Sequence, residues 1–180
     1  MPRQARLDIP GLLQHVIVRG IERRNIFRDN TDRKNFIERF SKLLEETDTD
    51  YFAWALIPNH FHLLIRPNRT ELKQFMRRLL IGYAINFNKR HHRVGHVFQN
   101  RYKSIVCEEE NYLLELIRYI HLNPLRAKIV DDIASLNRYQ RGGHSVLMGK
   151  RVFKGQVEEE AFARSAMGLI LPSKHIFSSS

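Results

Sequence analysis

Residues 51–66 read YFAWALI-PN-HFHLLIR, and this stretch decides the fold. Tyr51 to Ile57 is short and almost wholly apolar, the character of a buried strand. Pro58-Asn59 interrupts it, and His60 to Arg66 resumes with the alternation of a second strand. A link this short cannot form a crossover, so the two strands predict an antiparallel hairpin. Successive side chains of a strand point to opposite sides. Phe61, Leu63 and Ile65 therefore share one face, and His60 and His62 project together from the other.

Upstream, Leu12 to Gly20 (LLQHVIVRG) is β-branched and partly alternating, a first strand closed by Gly20. A helix is expected from about Thr31 to Glu46, capped by Thr31 or a nearby Asp/Asn, with Phe36, Ile37, Phe40, Leu43 and Leu44 as its apolar stripe. Downstream, Thr70 opens a longer helix to about Asn88, carrying Leu72, Phe75, Met76, Leu79, Leu80 and Tyr83 at helical spacing. His96 to Cys107 has the composition of a fourth strand. Glu108, Glu109 and Glu110 suit the N-terminus of a last helix, which Pro124 should end near Asn123. The order β-α-β-β-α-β-α predicts an α+β fold, a ferredoxin-like antiparallel sheet with helices on one face, followed by an extra helix and a C-terminal extension. The division expected is a domain over residues 8–130 and an extension over 131–180, with a helix over Gln156 to Ile170 and a frayed tail at Ser178 to Ser180.

Composition narrows the function. The chain has 180 residues, 43% hydrophobic and 10% aromatic, enough for a core without staples. Cys107 is the only cysteine, which excludes a disulfide scaffold, and no apolar run is long enough for a membrane helix. Asp8, Pro10 and His15 interrupt any signal-peptide stretch, so a cytoplasmic protein with no membrane partner is expected. Thirty Lys+Arg against nineteen Asp+Glu give a net charge of +11. Between Arg66 and Lys103 the ten bases meet a single acid, Glu71, so this segment holds +9 of that charge. Phe75, Tyr83, Phe87, Phe98 and Tyr102 are interleaved with them. Bases neutralise phosphates and rings stack on unpaired bases, so the segment reads as a nucleic-acid footprint, or else as a solvated basic face.

Two imidazoles two apart on a strand can hold one divalent metal, although two solvent-facing histidines look the same in sequence. The last helix adds partners. Its apolar stripe is Leu113, Leu116, Ile117 and Ile120; Tyr112, Tyr119 and Asn123 cluster on one flank, and His121 lies on the other. Tyr119 and Asn123, four apart, are neighbours on the helix surface. Asn123 could supply a carbonyl oxygen as third ligand with Tyr119 beside the metal; equally, Asn123 could be a C-terminal cap and Tyr119 a half-buried helix tyrosine.

Three ordered motifs carry a resemblance. They are Pro58-Asn59-His60-Phe61-His62, the run Gly95-His96-Val97-Phe98-Gln99-Asn100-Arg101-Tyr102-Lys103-Ser104, and Arg118-Tyr119-Ile120-His121-Leu122-Asn123-Pro124. His15 to Gly20, Arg23 to Phe27 and Gly142 to Gly149 fit as well. Together, over roughly residues 10–150, they resemble the single-tyrosine HUH transposases, in particular the REP-associated tyrosine transposases related to IS200-like elements. The tail departs from relatives in lacking a tryptophan near Arg138-Tyr139.

The resemblance implies a metal-dependent tyrosine DNA transesterase, an enzyme acting on single-stranded and REP-type hairpin DNA as a monomer or homodimer, associated with the nucleoid of a bacterial-type cell when bound. His60 and His62 correspond to the metal ligands, Asn123 to a third polar ligand, and Tyr119 to the nucleophile; His121 has no assigned role. A tyrosine of ordinary pKa, about 10, is ionised in only about one molecule in a thousand at pH 7, so the reaction calls for a Lewis acid. Imidazole, amide and substrate oxygens suit Mg²⁺ or Mn²⁺. Attack by Tyr119 would leave a 5′-phosphotyrosine and a free 3′-OH. Arg77, Arg78, Lys89, Arg90, Arg93, Arg101 and Lys103 are the candidate DNA contacts. Two other classes compete: a non-catalytic hairpin DNA- or RNA-binding protein on the same fold, and a nuclease that activates water and does not need Tyr119.

Overall fold

The computed structural model describes residues 8–107 and 110–147 of the chain. Strand β1 runs Gln14–Arg19, helix α1 Asn30–Thr47, strands β2 and β3 Thr49–Ile57 and His60–Pro67, helix α2 Leu72–Arg90, strand β4 Lys103–Val106 and helix α3 Glu110–His121. Short helices α4 (Asn123–Arg126), α5 (Ile133–Arg138) and α6 (His144–Leu147) follow. The sheet order is β2-β3-β1-β4 with every neighbour antiparallel, the ferredoxin-like plan expected from the element order.

Local chemistry explains the boundaries. Asp29, one of the Asp/Asn residues near Thr31, caps α1 by accepting from the Asp32 amide at 3.0 Å. The chain leaves α1 through Asp48 in the left-handed region (φ 51°). Gly20 closes β1 where a Cβ would come 2.1 Å from the Arg24 carbonyl oxygen, so only glycine lets the chain fold back here.

The sheet separates two cores. On one side Val16, Val18, Trp54, Leu56, Phe61, Leu63 and Ile65 pack beneath α1 and α2, whose Phe36, Phe40, Phe75, Tyr83 and Phe87 fill the space between. These two crossover helices share one face, as the plan requires. The extra helix α3 covers part of the opposite face, setting Leu113, Leu116, Ile117 and Ile120 on Ala53, Ala55, Ile57 and Leu64. The alanines of β2 are small, so α3 can lie close to the sheet. A register shift between Tyr51 and Ala53 sets which β2 residues face each core.

The fourth strand is shorter than the sequence suggests. Val97 and Tyr102 are both buried in the α1–α2 core, yet five residues apart they cannot share a face of a regular strand. The chain therefore meets β1 twice, through a bridge of Phe98 with Gly20 and again over Lys103–Val106, and bends between. Helix α3 stops at His121, close to the expected Pro124 boundary, and the chain turns directly into α4. The C-terminal helix expected over 156–170 and the tail at 178–180 lie outside the described residues. No helix among the described residues is long and apolar enough to cross a membrane.

Candidate active site

The register of β1 on β3 builds the site. Ile17 lies opposite His62, Arg19 opposite His60 and His15 opposite Leu64. Strand alternation then gives His15, Ile17, Arg19, His60 and His62 one common face, the one away from α1 and α2. On β4, Lys103 pairs with Ile17 and Ile105 with His15, so both face the same way. Because α3 packs over β2 and β3, the β1–β4 half of this face stays uncovered, leaving a cleft of about 580 Å³ lined by His15, Tyr112, Glu115, Arg118, Tyr119 and Arg126 among others.

Three imidazoles meet beside this cleft, with His15 in its wall. The rings of His60 and His62 have centroids 5.2 Å apart, and His15 stacks on His62 at 5.2 Å with 19° between planes. Burial pushes the His62 pKa down to about 3, aided by the neighbouring His15 and His60 rings and by Arg19. Burial and then Lys103 lower His15 to about 4. His60 is lowered by burial and by Arg19. All three rings are therefore neutral at pH 7, the state in which an imidazole offers a lone pair to a metal. His60 Nδ1 bonds Asn59 Oδ1 at 2.7 Å, which leaves Nε2 of that ring for a ligand role. The residues fit a divalent cation.

Tyr119, 38% exposed, stands edge-on to His62 with ring centroids 5.9 Å apart and to His15 at 6.4 Å. The Arg126 guanidinium lies over its ring, 4.8 Å from the centroid. Two other tyrosines are committed elsewhere. Tyr83 is 1% exposed and its hydroxyl donates to the Ile26 carbonyl; Tyr139 is buried and donates to the Leu56 carbonyl at 3.1 Å. Tyr112 lines the cleft, but among the described residues Tyr119 is the tyrosine whose ring meets the histidines. Asn123 sits at the start of α4, buried, and it does not line the cleft. Its side-chain Nδ2 has no hydrogen-bond partner among the described residues. His121 lies on the other flank of α3, beneath the tail: a Cβ on Gly143 would come 2.8 Å from its Nε2. Its ring also stands edge-on to His144, with centroids 6.1 Å apart.

The candidate DNA contacts divide by location. Lys103 faces the cleft side of the sheet. Arg77, Arg78, Lys89 and Arg90 ride on α2, which covers the opposite face. Arg78 pairs with Glu46, and Arg93 rests over the Phe87 ring, 5.7 Å from its centroid. Arg101 is exposed just ahead of β4. Arg90 is clamped by Asp29 at 2.6 Å and Asp32 at 2.5 Å. With His91, whose Nε2 is 2.9 Å from Asp32, these acids form a second cluster of metal-ligand type. There the Arg90 guanidinium already supplies the positive charge, holding Asp29 down to about 2, and the cluster joins the start of α1 to the end of α2. The sequence reading did not single out His15, Arg19, Arg118 or Arg126. For His15 and Arg19 the signal was present in the strand period, which puts them opposite Val16 and Val18.

A family model described as "Transposase IS200 like" matches residues 9–123. The chain belongs to the IS200-like transposase family. Membership gives this IS200-like transposase a transposase-type function on DNA. Among solved structures, a REP-associated tyrosine transposase bound to a REP hairpin shares the fold, with a TM-score of 0.69 at 15% identity over 85% of this chain and 88% of that one. A crystal structure from Deinococcus radiodurans, assigned there as a transposase, aligns at 16% identity and a TM-score of 0.46 over 66% of this chain and 95% of that one. No curated protein matches significantly.

Proposed function

We propose that this IS200-like transposase cleaves and rejoins single-stranded DNA at the foot of hairpins of the REP type, with Tyr119 as nucleophile. The observation that carries the reading is the exposed Tyr119 ring standing 5.9 Å from His62 at the mouth of a basic cleft. His60 and His62 would hold the cation, Mg²⁺ or Mn²⁺, with Asn123 proposed as a third ligand. When bound, that ion supplies Lewis-acid polarisation of a phosphate oxygen.

The protein's own groups do the rest. The Tyr119 Oη bonds to phosphorus as the phosphorus–O3′ bond breaks; the phenolic proton leaves, and the departing O3′ takes up a proton to become a free 3′-OH. The 5′-phosphate stays on the tyrosine, so a second 3′-OH can reverse the step and join strands without an external energy source. Arg126, stacked on the Tyr119 ring, restrains that ring and brings a cation to the phosphate path. Arg118 extends this positive lining, and Lys103 adds a cation on the same face of β4. Arg77, Lys89, Arg93 and Arg101 are proposed to hold the more distant backbone of the hairpin. Arg78 and Arg90 must first exchange acid partners.

The test mixes the full chain with end-labelled hairpin-bearing single strands and Mn²⁺, followed by a denaturing gel. A covalent protein–DNA band that disappears in Tyr119→Phe and with chelator is the expected result. Cleavage that persists in Tyr119→Phe would assign the chemistry to water; tight binding with no cleavage would leave a hairpin-binding protein.

A further inference from the structure

Each of the two β3 histidines, His60 and His62, has one ring nitrogen already engaged, and it is Nδ1 in both. His60 Nδ1 faces Asn59 Oδ1 at 2.7 Å. An amide oxygen only accepts, so the hydrogen of His60 sits on Nδ1. His62 Nδ1 faces His15 Nε2 at 3.0 Å. Between two uncharged rings one of these nitrogens carries the hydrogen and the other receives it. We propose that Asn59 and His15 are positioning residues that hold His60 and His62 in the Nδ1–H tautomer, so that both Nε2 lone pairs are free for a divalent cation.

Rigid supports favour this assignment. Asn59 lies in the β2–β3 turn, where its carbonyl accepts from Gly20 at 2.8 Å and the Pro58 carbonyl accepts from Ile26 at 2.8 Å and Phe27 at 3.0 Å. These bonds tie the turn backbone to Gly20 and to residues 26–27. His15 is buried in β1, hydrogen-bonded strands on both sides of it, and its ring stacks on His62. Had His15 donated instead, His62 would present an N–H where a ligand atom is needed. A cation on Nε2 also makes the Nδ1 hydrogen a better donor, so the metal and the outer acceptor reinforce each other.

The inference rests on the metal reading above, and the experiment separates the two. Ring ¹⁵N NMR on the metal-free full chain reads the tautomers directly, and the EPR signal of free Mn²⁺ reads affinity. Nδ1–H is expected for both histidines in the wild type. His15→Phe, which keeps a ring but removes the acceptor, should release His62 from that tautomer and weaken Mn²⁺ binding about 10- to 100-fold. His15→Gln sets an amide oxygen near the lost Nε2 and should restore most of the affinity; Asn59→Ala should act on His60 as His15→Phe acts on His62. An Nε2–H tautomer at His62 in the wild type, or unchanged Mn²⁺ affinity in His15→Phe, overturns the inference. Undiminished Mn²⁺ binding in a His60→Ala, His62→Ala double variant overturns the metal reading instead, and the wild-type tautomers still decide the positioning roles. Should His15→Phe fail to fold, the wild-type spectrum and His15→Gln carry the test.

Discussion

The two faces of the sheet are made by the same strands and behave as different materials. Phe61 and His62 are adjacent in the chain and both buried, yet Phe61 sits in a continuous aromatic core while His62 stacks on another imidazole beside a cleft. Two helices seal the first face. One helix covers only part of the second, and the uncovered part is a cleft lined by His15, Tyr119, Arg118 and Arg126, with His62 stacked behind His15. The first face holds the larger, aromatic core, while the second divides between a smaller aliphatic core under α3 and the site proposed for the chemistry, so substitutions on the two faces should have different effects.

The sharpest way to break this contrast is to treat its two tyrosines alike. Tyr119→Phe is expected to lower covalent-adduct formation by at least about 10³-fold with an unchanged melting curve, as removal of a nucleophile does. Tyr83→Phe should leave the adduct in place and cost about 1 kcal/mol of stability for the lost bond to Ile26, read by urea unfolding. Equal effects from the two would abolish the division.

Next in size is the pair of neighbours on β3. Phe61→Ala should cost about 3–5 kcal/mol by opening a cavity among Phe27, Phe36 and Leu63. His62→Ala should cost clearly less in unfolding experiments while removing adduct formation and Mn²⁺ binding.

Acid should act through the histidine face. His15 and His62 are held to about 4 and about 3, below the ordinary 6.5, because burial disfavours their charged forms. His121, also buried and lowered to about 3, adds a third group. The unfolded chain takes up protons more readily, so stability is full above pH 6.5 and falls between that value and the folded-state values. The expected loss is on the order of 1 kcal/mol per pH unit for each such histidine, measured by unfolding at pH 7, 6 and 5. His15→Phe should flatten that slope; a slope unaffected by the change would place the acid sensitivity elsewhere.

The smallest effects separate two bases of α2. Arg77→Ala should weaken hairpin binding modestly and reduce its salt dependence by about one unit of slope, with no change in unfolding. Arg90→Ala should do the reverse, lowering stability slightly in urea unfolding because Asp29 and Asp32 lose the guanidinium they share.

Much of this architecture was readable in the sequence because it is written locally. The Ile57-Pro58-Asn59-His60 break gave the hairpin, the 3.6-residue stripes gave α1 and α2, and strand alternation gave the shared side of His60 and His62. The fourth strand was over-long in that reading because Val97 and Tyr102 both carry strand-like side chains, while the bend between them depends on a core formed by distant residues. His15 has the same alternation signal as His62, but its importance arises only from the pairing of β1 with β3, a contact across 47 positions. The cations nearest Tyr119 were missed for a related reason: the densest run of bases lies on α2, whereas Arg118 and Arg126 are set beside the cleft by the turn from α3 into α4.

The segment after α4 bears on self-association. β2 is an outer strand of the sheet, and its outward backbone is met by residues 141–143: the Leu56 amide donates to the Arg141 carbonyl at 2.8 Å, the Gly143 amide to the Trp54 carbonyl at 2.9 Å, and the Tyr139 hydroxyl reaches the Leu56 carbonyl. An unpaired edge with the apolar run Tyr51 to Ile57 is a template for another chain. Residues 139–143 therefore act as a guard strip on the edge, occupying backbone positions at Trp54 and Leu56 that a strand of another chain would otherwise use.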